Sequence, residues 1–278
     1  MAENQAKFEG LLQRVRSALI LLPFVIAPVI FGGWSFTLLL AIVGFLMARE
    51  WSNLLAASSR NGVVLGVASV LILGFGLWVG SIDALGLLVV ASLAVAAYCL
   101  AFGKRLSPFV GGLYYVALPL LAAQFLRLDP LGMFVIGYIL LSVWAVDIFA
   151  MFSGKLIGGP KLAPVISPKK TWAGLIGGMV GAVLAGILSF LTVVGFGFGD
   201  MQFSAIMIVA PLLAICAQGA DLFESAIKRR YDVKDSGAII PGHGGLLDRV
   251  DGLIGVLIVA LAIVLWRGGA SSAALWVW

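Results

Sequence analysis

DGLIGVLIVALAIVLW, residues 251–266, opens on a carboxylate and a glycine and then runs apolar to Trp266. A strand of a membrane β-barrel would alternate apolar and polar residues over roughly ten positions. This run is continuous instead, as in a helix crossing a bilayer, which needs about 20 residues. Similar runs, bounded by charge, Gly or Pro, fall at 17–31, 34–48, 63–80, 84–102, 109–126, 131–153, 172–195 and 203–226. The chain is therefore expected to be all-α, a polytopic transmembrane helical protein of about nine spans. The first two runs are short, and Pro23, Pro28 and the Gly32-Gly33 pair interrupt them, so a bent or partly inserted hairpin is expected there.

Composition agrees with this reading. Hydrophobic residues make up 62% of the chain, charged residues 11%, and mean hydropathy is +1.13, whereas a soluble domain carries about 25% charged residues. The runs recur from end to end and leave no room for a separate soluble domain, so residues 1–278 read as one integral membrane domain. A net charge of +5 and a pI near 9.4 are what an excess of cytoplasmic Lys and Arg produces, and nucleic acid is not an expected partner. Cys99 and Cys216 lie far apart in apolar runs, with neither a CxxC nor a neighbouring His, so neither a disulfide frame nor a zinc site is indicated. Glu3 and Glu9 sit among the first basic residues and no small-x-small cleavage site is evident, so a retained first span is expected rather than a cleaved signal.

Placing the N-terminus in the cytoplasm puts all of the 18 Lys and Arg except Arg127 and Arg267 on the inner side. The two longest connections, 154–171 and 227–250, are then both cytoplasmic loops and would carry the active site. Arg14, Arg16, Arg49, Arg60, Lys104 and Arg105 read most simply as topology signals or anchors for anionic head groups. Gly174, Gly177, Gly178, Gly181 and Gly186 recur every few positions, as close helix packing requires. Trp51, Trp78, Trp266 and Trp276 fall near the expected membrane interfaces.

The charges that remain crowd between Asp221 and Asp251. Asp221 and Glu224 share a face at the inner end of one span, and Asp248 and Asp251 have the same spacing at the start of the next. A carboxylate inside a bilayer costs about 2.5–3.5 kcal/mol, so such groups face a partner or a watery cavity. Two acidic faces brought together make an oxygen-rich pocket suited to a hard cation such as magnesium. Lys228, Arg229, Arg230, Lys234 and Arg249 lie beside them, the earlier loop adds SPKKTW at 167–172, and Pro241 to Gly245 form a glycine-rich turn around the single His243. Carboxylates for a metal, cations for phosphate oxygens and a backbone that can approach a ligand together describe a phosphate site. Asp147, near the inner end of its span, is a further candidate, with pairing to a neighbouring helix as the plain alternative.

Other chemistries fit poorly. Gly154-Lys155 lacks the rest of a Walker motif, the lone His serves no convincing Ser-His-Asp set, and Asp251-Gly252 does not continue into the pattern of the CDP-alcohol phosphotransferases. A transporter lined by Asp147, Asp221 and Asp248 would need polar sites in the outer half of the molecule, where almost none occur. A membrane-bound lipid kinase using CTP stays open as an alternative.

SAIKRRYDVKDSGAIIPGHGGLLDRVD, Ser225 to Asp251, resembles throughout the signature of the bacterial phosphatidate cytidylyltransferases, also called CDP-diacylglycerol synthases. The resemblance extends through QGADLFES (218–225), SPKKTWAGLIGG (167–178) and DIFAMFSGK (147–155), where Met151 and Lys155 replace an expected Tyr and Arg. It implies transfer of the CMP group from CTP to phosphatidate, giving CDP-diacylglycerol and pyrophosphate for phospholipid biosynthesis. It implies a multi-helix homodimer among the lipids of the bacterial cytoplasmic (inner) membrane, with a magnesium-dependent site facing the cytoplasm. A second, monovalent ion sharing that site is an open alternative. By the same resemblance Asp221 and Asp248 would hold the metal, supported by Glu224 and Asp251, with Lys228 and Arg249 as catalytic partners. Ser167, Lys169, Lys170, Thr171, Ser225, Arg229, Lys234, Asp235 and Asp147 would receive the substrates' phosphates, and His243, Gly244 and Gly245 would shape the nucleotide loop.

Overall fold

Gly32 and Gly33 adopt φ values of 67° and 51°, a region that L side chains avoid. In this computed structural model, which describes residues 19–55, 59–198, 202–239, 244–268 and 271–276, the pair ends a short helix α1, Leu19–Phe31, and begins α2, Gly33–Leu54. The guanidinium of Arg127 closes the break by donating to the carbonyls of Val29 (2.6 Å) and Ile30 (2.8 Å), which have no partner within α1.

The remaining spans are α3 (Ser59–Val79), α4 (Ala84–Ala101), α5 (Leu106–Leu128), α6 (Gly132–Leu156), α7 (Trp172–Gly195), α8 (Phe203–Arg230) and α9 (Leu247–Trp266). Of the nine helices among the described residues, α2 to α9 are long and apolar enough to cross a membrane, so the all-α polytopic class holds. Two boundaries change. The described part of the first run is a helix shorter than a bilayer requires, while α2 is a full-length span that continues past residue 48. Charge misled the reading of α2: Glu50 is only 1% exposed and its carboxylate is fully engaged, so it does not end the helix.

The connection after α6 is also more ordered than a loop. Strand β1 (Lys161–Ala163) pairs antiparallel with β2 (Ser167–Thr171), with Lys161 opposite Thr171 and Ala163 opposite Ser167. Thr171 then caps α7, its hydroxyl accepting from the Gly174 N–H at 3.0 Å. Lys155 lies in α6 and Lys228 to Arg230 lie in α8, so these cations ride on rigid helix ends.

Packing follows the small residues. A Cβ on Gly177 would strike the Ser153 hydroxyl, and one on Gly181 would lie 2.7 Å from the Ala145 carbonyl, so α6 and α7 meet backbone to backbone. Gly186 of α7 leaves room for the Ile206 side chain of α8. Helix α5 is the most buried span, and Gln124 in its interior bonds the hydroxyl of Thr37 and the carbonyl of Leu73. Trp78 and Trp266, 83% and 77% exposed, suit a membrane interface. Trp51 and Trp276 do not: both are buried, Trp51 donating to the Pro108 carbonyl at 2.9 Å and Trp276 packing on Tyr138.

Candidate active site

Helix α9 approaches α8 closely because glycines face it. A Cβ on Gly255 would lie 2.6 Å from the Ala220 methyl and 3.0 Å from the Cys216 carbonyl, and Gly252 faces Ala217. That proximity brings two acidic faces together. Lys228 of α8 bridges them, 2.6 Å from Asp248 of α9 and 3.2 Å from Glu224 one turn back on its own helix. The other Glu224 oxygen accepts from the Tyr115 hydroxyl of α5 at 3.2 Å.

Asp248 is held on several sides. Its carboxylate accepts from the N–H groups of Ser236 and Gly245, both at 3.0 Å, as well as from Lys228. Gly245 is obligatory for this arrangement: a Cβ there would strike the Ser236 hydroxyl and lie 2.9 Å from Asp248 Oδ2. Glu50 of α2 completes the clasp by accepting from the N–H groups of Leu246 (2.9 Å) and Leu247 (2.8 Å) and from the Ser236 hydroxyl (3.2 Å). A carboxylate at the N-terminal end of α9 satisfies donors that have no partner inside the helix and complements its dipole.

A second cluster forms around Asp221. Lys170, presented by β2, lies 2.6 Å from Asp221 and also donates to the Gln218 carbonyl at 3.3 Å; Ser225 donates to Asp221 at 3.3 Å. Asp147 of α6 lies within electrostatic reach of Asp221, Lys170 and Arg249, and Asp251 within reach of Asp221, Glu224 and Asp147. Asp147, Asp221, Lys155, Lys161, Lys169 and Lys170 line a cavity of about 570 Å³ between the hairpin and the ends of α6 and α8. Such a mixture suits a polyanionic ligand whose charge is shared between cations and a metal.

The structure thus joins Asp147, Lys169, Lys170, Thr171 and Asp221 in one pocket, and Lys228, Asp248, Gly244 and Gly245 in an adjoining cluster. Asp221 and Asp248 stand on neighbouring helices, each paired with a different lysine. Ser167 lies at the far end of β2, opposite Ala163. Arg229 is exposed and donates to the Val233 carbonyl at 3.4 Å, while Lys234 and Asp235 are exposed on the connection to α9. His243 lies outside the described residues. Sequence reading missed Glu50 and Tyr115. An acid beside an apolar span was the available signal for Glu50; Tyr115, one aromatic among many, offered none.

Carboxylate oxygens are the donors a hard divalent ion takes, and here those of Asp221 and Asp248 are engaged by lysines and by N–H or O–H donors. Among the described residues, no group of three or more His, Cys, Asp or Glu side chains is gathered to hold a metal alone. An ion at this site would complete its coordination with ligand oxygens and water, as magnesium does with phosphates.

Fold and site together define an integral membrane protein with a cationic, carboxylate-lined pocket at one end of a helical bundle. The sequence profile of the Cytidylyltransferase family matches residues 12–266. Phosphatidate cytidylyltransferases of Brucella abortus and Brucella suis are each 39% identical over 244 residues, covering 86% of this chain and 86% of theirs. The enzyme of that name from Rickettsia bellii is 46% identical over 147 residues, 51% of this chain and 63% of its own. The chain belongs to the Cytidylyltransferase family.

Proposed function

We propose that the protein transfers CMP from CTP to phosphatidate, forming CDP-diacylglycerol and releasing pyrophosphate. The observation that carries this reading is the pocket itself, where Lys169, Lys170, Asp147 and Asp221 converge in a membrane protein of the matched family. The reaction forms a bond between a phosphatidate phosphate oxygen and the α-phosphorus of CTP, and breaks the α–β phosphoanhydride. No side-chain nucleophile is required, because a phosphate monoester is already ionised near neutral pH. Positioning and charge neutralisation carry most of such a transfer.

In this reading Lys169 and Lys170 bind the triphosphate from the hairpin, Asp221 orients Lys170 and is itself held by Ser225, and the phosphates are met by Lys228 from α8 and by Arg249 from α9. Asp221 and Asp248 would hold magnesium, with Glu224 and Asp251 beside them; a bound ion would neutralise the triphosphate and polarise its α-phosphoryl group. The clustering of cations at the ends of α6 and α8 supports a cytoplasm-facing site in the bacterial inner membrane, and a homodimer belongs to the same reading.

Purified protein given phosphatidate, magnesium and CTP labelled at the α-phosphorus should transfer label to the lipid. Lipid labelled instead by γ-labelled CTP would establish a kinase. Label in neither case would overturn catalysis of either kind.

A further inference from the structure

Helix α6 lines two cavities of opposite character, the polar one at its Asp147–Lys155 end and an apolar one along Ile136 to Trp144. On α9, Asp248, Gly252 and Gly255 face α8, whereas Leu246, Arg249, Val250, Leu253 and Leu257 line the apolar cavity, of about 220 Å³, together with α1, α2, α5 and α6. Among the described residues its walls are almost wholly apolar, and Arg249 is the only charged residue in them. From Leu246 to Leu257 the cavity follows α9 for about 16 Å at 1.5 Å per residue. That depth is close to half of a hydrocarbon core about 30 Å thick, the length of one leaflet.

The cationic end adjoins the polar pocket. Ile136, Leu140 and Trp144 of α6 line the apolar cavity, and Asp147, the next residue of that stripe, lines the polar one. Asp147 also lies within electrostatic reach of Arg249. A lipid chain lying along these apolar walls gains dispersion contacts with them.

We propose that this cavity is an acyl-chain site for a phospholipid ending in a phosphate monoester, with the chain between α2, α5, α6 and α9 and the phosphate at Arg249, facing the polar pocket. The assignment rests on the proposed use of phosphatidate and adds where that lipid lies. Its charge complementarity is specific: a phosphate monoester carries up to two negative charges toward Arg249, whereas a zwitterionic choline lipid carries one beside a quaternary amine.

The test uses the full chain in phosphatidylcholine nanodiscs, with phosphatidate carrying a photoactivatable diazirine in mid-chain. Mass spectrometry should find adducts on cavity residues such as Met47, Leu140 and Leu253, several-fold above those from a diazirine phosphatidylcholine. Adducts confined to outward-facing residues such as Leu93 or Leu188, or equal labelling by the choline lipid, would overturn the proposal. Leu253→Trp, filling the cavity, should raise KM for long-chain phosphatidate about tenfold and leave KM for CTP unchanged. If that variant does not fold, the labelling of the unaltered protein decides. Transfer of CMP without cavity labelling defeats this site alone, whereas cavity labelling without transfer defeats the catalytic reading and leaves the lipid site standing.

Discussion

Asp221 stands in the interior of α8 and Asp248 in the first turn of α9, and their surroundings differ. Asp221 meets a lysine delivered by a hairpin and a serine on its own helix, while Asp248 is held by two backbone N–H groups and Lys228. Replacing either by Asn keeps the shape but removes the charge that holds a lysine and would bind a metal. We expect Asp221→Asn and Asp248→Asn each to lower kcat by about a hundredfold or more while the protein still inserts and purifies; near-normal turnover in either would refute its metal role. Gly245→Ala tests the same centre through packing. The added methyl has no room beside Ser236, Gly237 and Asp248, and the displaced carboxylate should cost about a hundredfold in activity with helical content unchanged by circular dichroism.

At the scale of elements, the beginning of α9 is built by other parts of the chain. Glu50 in α2 reaches across 196 and 197 sequence positions to the N–H groups of Leu246 and Leu247, and the segment at Ser236 binds both Glu50 and Asp248. Glu50→Ala should therefore lower thermal stability in detergent, at about 1–3 kcal/mol for each buried donor left without a partner. It should also lower activity, since Asp248 loses its frame; an unchanged melting temperature would show that water replaces the carboxylate without cost. The glycine seam between α6 and α7 was legible beforehand because small residues at helical spacing have few other uses. The β-hairpin was not, because PKLAPVISPKKT at 160–171 is too short and too polar for a periodicity to register.

For the whole molecule, orientation is the property that decides which compartment the pocket meets. A single cysteine placed at Lys161, in a version lacking Cys99 and Cys216, should react with a membrane-impermeant maleimide only after the cytoplasmic face is opened. One placed at Ser271 should react from outside in intact cells. The reverse pattern would invert the topology and separate the pocket from cytoplasmic CTP.

Eight spans, the glycine seam and the motif residues could be read from the chain alone because their causes are local. A bilayer makes each segment satisfy its own backbone, so composition over about 20 residues reveals a spanning helix. The role of Glu50, the clasp around Asp248, the pairing of Lys170 with Asp221 and the apolar cavity ending at Arg249 required the tertiary structure. Each depends on groups from different helices meeting at hydrogen-bond or van der Waals distance. Such encounters leave no periodic mark in a sequence, because the bilayer constrains what every helix is made of and leaves their mutual packing to decide which side chains meet.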